Sequence, residues 1–61
     1  MKFDAERLYE IAEEELRNVG IFQVEEGYAH WAYYSSQEEY SSEEEVRNEI
    51  KKLIKIDKEE L

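Results

Sequence analysis

His30 is the only histidine in the chain, and there is no cysteine beside it. A zinc site takes three or four Cys, His or carboxylate ligands, and a nucleophilic triad needs a base next to an activated Ser or Cys. Neither arrangement can be assembled around His30, whose expected neighbours in an extended segment are Gln23 and Ala32. The pairs Ser35-Ser36 and Ser41-Ser42 lack a Gly-x-Ser-x-Gly elbow and read as turn and capping residues. Two glycines far from one another, Gly20 and Gly27, do not make a phosphate-cradling loop. We therefore expect no enzyme, no cofactor and no bound metal.

Chemistry of recognition is better represented. Three acidic runs stand out, Glu13-Glu14-Glu15, Glu25-Glu26 and Glu43-Glu44-Glu45. They lack the cleft that separates the pKa values of a catalytic carboxylate pair and the alternating oxygen ligands of a calcium loop. The chain carries 17 Asp plus Glu against 8 Lys plus Arg, a net charge of −9, with a pI near 4.5. The excess is uneven, since positions 1–40 hold ten acids against three bases and the rest seven against five. Direct nucleic-acid binding is disfavoured because counterion release needs clustered Lys and Arg, and anionic membranes are disfavoured for the same reason. No apolar run approaches the ~20 residues of a membrane span, and Met1 to Glu6 lacks the apolar stretch of a signal peptide, so we expect a cytoplasmic protein.

The aromatic segment Tyr28-Ala29-His30-Trp31-Ala32-Tyr33-Tyr34 is the most unusual stretch. Read with a period of two, it sends Trp31 and Tyr33 inward, and Tyr28, His30 and Tyr34 outward beside Ile21 and Ala32. Two outward tyrosines around an apolar centre have the composition of an interface core.

The elements that must position these groups fit one small domain over residues 1–61, with 57–61 expected to fray. Asp4 is a good N-cap, Phe3 and Leu8 can form a hydrophobic staple, and Leu8, Ala12, Leu16 and Val19 recur at helical spacing. Gly20 suits a left-handed cap, so a helix is expected from Ala5 to Val19. Beyond it, Ile21 to Glu25 and Tyr28 to Ser35 read as a hairpin about Glu26-Gly27, with Val24 opposite Ala29 and Phe22 opposite Trp31. A turn at Ser36-Gln37 leads to a third strand carrying Tyr40. Ser42-Glu43-Glu44-Glu45 reads as a capping box opening a second helix, with Val46, Ile50, Leu53 and Ile54 as its apolar stripe. The expected fold is α+β, in the order α-β-β-β-α, a two-layer domain with both helices packed on one face of a small antiparallel sheet.

That order, with Gly27-Tyr28-Ala29-His30 in the first hairpin, resembles the double-stranded-RNA-binding domain, whose β1-β2 loop carries a Gly-Pro-x-His pattern and whose second helix opens with phosphate-gripping lysines. Tyr28 stands in place of the proline and Glu43-Glu44-Glu45 in place of the lysines. These departures reverse the charge of the RNA face, and no RNA binding is carried over.

The functional expectation is a small acidic protein-binding module. One form of it is an inhibitor, of the kind phages and mobile elements encode, that offers a nucleic-acid-like negative surface to a basic partner protein. Glu13, Glu14, Glu15, Glu25, Glu26, Tyr28, His30 and Tyr34 are the expected contact residues, and the tyrosine face is expected to support a weak homodimer. The competing reading is a stable scaffold without evolved activity, a designed miniprotein or an orphan domain from a thermophile, because caps, hairpin register and charges agree with one another.

Overall fold

The computed structural model describes residues 1–59 and consists of three helices, α1 (Ala5–Asn18), α2 (Glu26–Ser35) and α3 (Glu43–Glu59). There is no strand among the described residues, so the α+β expectation is overturned: this is a small all-helical fold. The likeness to the double-stranded-RNA-binding domain, which rested on three strands, ends with them.

Both ends of α1 form as the sequence dictates. Asp4 accepts a hydrogen bond from the Arg7 backbone N–H at 2.7 Å, and Phe3 packs against the cluster that contains Leu8. At the other end Val19 is the cap, Gly20 takes φ +85°, and the Gly20 and Ile21 N–H groups donate to the Arg17 and Leu16 carbonyls at 3.0 and 2.9 Å. This double return is the Schellman closure, and it requires a left-handed residue at position 20. An added Cβ there would meet nothing within 4 Å, so the cost of Gly20→Ala is conformational alone. We expect that variant to lose about 1 kcal/mol in urea melts, and an unchanged midpoint would contradict it.

The supposed hairpin is instead a loop over 21–25 followed by α2. Between Glu25 and Glu45 the chain holds no Val, Ile or Thr, so the second and third strands rest on aromatics alone, the β-branched Ile21 and Val24 lying in the first. Ala29 and Ala32 favour a helix, and Glu25 and Glu26 sit where the helix dipole attracts negative charge. Tyr28, Ala32 and Ser35, spaced four and three apart, are the buried residues of α2. Tyr28 and Ala32 satisfy a period of two as well, which is why the pattern alone misleads. A ten-residue helix is marginal in isolation. Docking of Tyr28 and Ala32 on the rest of the core decides the matter.

The third strand is absent too. Residues 36–42 form a loop in which the Ser36 hydroxyl donates to the Tyr33 carbonyl at 2.6 Å, and the Tyr40 N–H donates to the Met1 carbonyl at 2.8 Å. At α3, the Glu45 N–H reaches Ser42 Oγ at 3.4 Å, while the Glu45 carboxylate accepts from the Ser41 N–H at 2.7 Å and from the Ser41 hydroxyl. The capping box exists, shifted by one residue on its return bond. These Ser41 bonds hold the Glu45 carboxyl below the usual carboxylate range. The helix continues through 57–59; the remainder of the tail expected to fray, Glu60 and Leu61, lies outside the described residues.

Two clusters make one continuous core. Leu8, Ile11, Ala32, Tyr40 and Val46 fill one end, and Ala12, Leu16, Tyr28, Ile50 and Ile54 the other. The pairing of low numbers in α1 with high numbers in α2 and low numbers in α3 makes α1 and α3 parallel and α2 antiparallel to both. α1 packs along both partners, whereas no Cα of α2 lies within 8 Å of a Cα of α3 among the described residues. Side chains span that gap: Trp31 Nε1 donates to Glu49 at 2.9 Å and the Tyr28 hydroxyl to Asp57 at 2.6 Å.

Candidate functional site

The structure separates the expected contact residues into two groups. On α1, Glu15 is only 6% exposed, because position 15 falls on the stripe of Leu8, Ile11, Ala12 and Leu16. Its carboxylate accepts from Arg47 Nη1 at 3.0 Å and lies 3.7 Å from Lys51 Nζ. Glu14 stands between Arg7 and Arg47 at 3.6 and 3.5 Å, and Glu43 is held by both guanidiniums. Glu13 lies 3.8 Å from Arg17. Burial works against the charge on Arg47, but the Glu15 hydrogen bond and the nearby Glu14 and Glu43 carboxylates outweigh it and raise its pKa further. Thus the run Glu13-Glu14-Glu15 mostly joins α1 to α3, and Glu15 is closed to any partner.

The second group converges on α2. His30 and Tyr34 stack with ring centroids 6.3 Å apart, and Tyr33 meets Tyr34 edge-on at 5.5 Å. Tyr33 and Tyr34 are 60% and 64% exposed. With Glu26 and Ala29 they line a shallow recess of about 340 Å³. Tyr28, expected beside them, is instead buried, and Tyr33, expected in the core, is outside. A helix places residues 30, 33 and 34 on one face, and the period-two reading could not bring Tyr33 there.

Between α2 and α3 run two further recesses that meet at Tyr34. One, of about 370 Å³, has Glu25 and Asp57 on its rim and Trp31 and Leu53 on its floor. The other, of about 310 Å³, is bordered by Glu38, Glu39, Glu45 and Glu49. No lysine or arginine among the described side chains lines either one. Glu38, Glu39, Glu49 and Asp57 were not singled out from the sequence, where they stand alone or in a pair and become neighbours of Tyr34 only through the fold.

Burial, then the hydrogen bond to Asp57 and the charges of Asp57 and Glu25, raise the Tyr28 phenol far above its ordinary value; burial foremost raises Tyr40. A pKa raised by folding contributes stability that is complete below the unfolded value, near 10, and is lost as pH climbs toward the folded value. We expect stability to fall above about pH 10 by up to ~1.4 kcal/mol per pH unit for each such phenol, and Tyr28→Phe to flatten that slope. Urea melts across the alkaline range, read by circular dichroism, test this; an equally steep loss in Tyr28→Phe would contradict it.

No group of three or more His, Cys, Asp or Glu among the described residues is placed to hold a metal ion. No helix among them is long and apolar enough to cross a membrane. Comparison with family models, with curated proteins and with solved structures finds no match to this chain.

Proposed function

We propose that this chain is an acidic protein-binding module that docks on a basic surface of a partner protein through the outer face of α2. The His30, Tyr33 and Tyr34 patch with carboxylates around it is the observation that carries this reading. α2 has one charged residue, Glu26, and aromatic side chains on every side. A helix with aromatic rings outside its buried stripe leaves apolar surface that its own core does not cover. Exposed tyrosines supply large contact area, and their ring faces attract cations such as arginine. The charge of −9 steers a basic partner toward the module and makes association salt-sensitive.

The inhibitor form, in which carboxylates occupy a basic groove in place of phosphates, rests on Glu25, Glu26 and Glu38, since Glu39 in the same loop is paired with the N-terminal ammonium at 2.6 Å. Glu14, Glu15 and Glu43 are already paired with Arg7, Arg47 and Lys51. Titration of an oligo-arginine peptide, followed by the fluorescence of the single tryptophan, Trp31, tests the module. Affinity should fall steeply as salt rises from about 0.05 to 0.3 M. The charge-neutral pair Tyr33→Ala and Tyr34→Ala should weaken it about tenfold. Binding indifferent to both changes would overturn the proposal.

A further inference from the structure

We infer that the groove between α2 and α3 takes an amphipathic helix of the partner with basic residues at both ends and an apolar middle; this rests on the basic-partner reading above. Its walls are two antiparallel helices whose backbones do not pack on each other, which leaves a furrow open along their length on the side away from α1. Furrows of this kind accept a further helix by ordinary side-chain interdigitation. The charge pattern is specific. Carboxylates gather at the two ends, Glu25 and Asp57 at one and Glu38 at the other, where Glu39 is already paired with the N-terminal ammonium at 2.6 Å; Trp31, Tyr34 and Leu53 lie between, and Glu49, also between, accepts a hydrogen bond from the Trp31 indole. α2 has 10 residues, about 15 Å of helix, so the two basic ends of the occupant should be separated by roughly ten residues.

A second copy of the chain is the poorer occupant, because each copy brings a charge of −9 to a furrow that is already acidic. Two features hold the furrow's floor in place. The Trp31 indole is tied to Glu49 and the Tyr28 phenol to Asp57, so the aromatic surface is set before a ligand arrives.

Two peptides of identical composition separate the possibilities. One carries Lys and Arg at both ends of an apolar helix; the other has the same residues scrambled. Binding to the full chain is read by Trp31 fluorescence and by calorimetry. The patterned peptide should bind at least about tenfold tighter, and Glu38→Lys should weaken it several-fold. Glu6→Lys, the same change of charge on α1 outside the furrow, should have less than a twofold effect. Equal affinity for the two peptides, with Glu38→Lys and Glu6→Lys equivalent, would overturn the groove while leaving the basic-partner reading intact. Failure of both peptides to bind would overturn both. A concentration-dependent dimer that Tyr34→Glu dissolves would assign the furrow to a second copy and also overturn the inference. Circular dichroism of each variant confirms that these exposed positions leave the fold unchanged.

Discussion

Arg47→Met should lower the stability of the folded chain by about 2–4 kcal/mol, a loss of the same order as the ~3–5 kcal/mol that a core of this size supplies. The change leaves the nearly buried Glu15 carboxylate with Lys51 at 3.7 Å and the Asn18 amide at 3.4 Å as its only close partners. It also releases Glu14 and Glu43, which Arg47 shares with Arg7. The figure stands below that for a fully enclosed pair because the Arg47 side chain keeps 27% of its surface in solvent. At roughly 4–8 °C per kcal/mol, the thermal midpoint should drop by on the order of 10–30 °C. Adding Glu15→Leu removes the stranded charge and should return most of the loss, since apolar replacement of both members of a buried pair is often neutral or better. Thermal and urea melts of the two variants decide the point. A loss under about 0.5 kcal/mol for Arg47→Met would mean that the cluster behaves as an ordinary exposed pair.

The second large effect is a contrast between two tyrosines five residues apart. Tyr28→Ala should cost about 3–4 kcal/mol, because it empties part of the cluster with Leu16, Ile50 and Ile54 and leaves Asp57 without its hydrogen bond. Tyr33→Ala should cost no more than about 0.5 kcal/mol, since that ring is largely in solvent. A hairpin would reverse the order, with Tyr33 inside and Tyr28 outside. The same pair of variants therefore tests the helical assignment of the aromatic segment without any spectroscopy of secondary structure. Comparable losses in both would contradict the placement of α2.

The two outer helices were legible in the residues. Asp4, Phe3 and Gly20 announce the ends of α1, and Ser42 with Glu45 announces the start of α3, because capping is local chemistry that few residues perform. The middle was not. Its aromatic run satisfies periods of two and of four at Tyr28 and Ala32, and a period is decided by which neighbours arrive, a fact about the whole fold. The absence of Val, Ile and Thr from Glu25 to Glu45 was the available signal, and it pointed to a helix. Of the expected contact residues, Glu26, His30 and Tyr34 line one recess, and Glu25 borders the neighbouring one with His30 and Tyr34. Glu15 could have been set apart from its run, since it follows Ile11 by four and Ala12 by three and so must point with them.

Glu15 has a further consequence, which concerns handedness. Three helices with a shared apolar stripe can close with α3 on either flank of α1, and the hydrophobic effect scarcely distinguishes the two mirror arrangements. In the observed hand, Glu15 looks toward α3 and finds Arg47 and Lys51. In the other it would look toward α2, which contains neither lysine nor arginine. One carboxylate thus votes against the mirror bundle by being intolerable there. With Glu15 and Arg47 both replaced, the hand would rest on the remaining polar ties to α3, the Arg7–Glu43 pair and the Trp31–Glu49 and Tyr28–Asp57 hydrogen bonds.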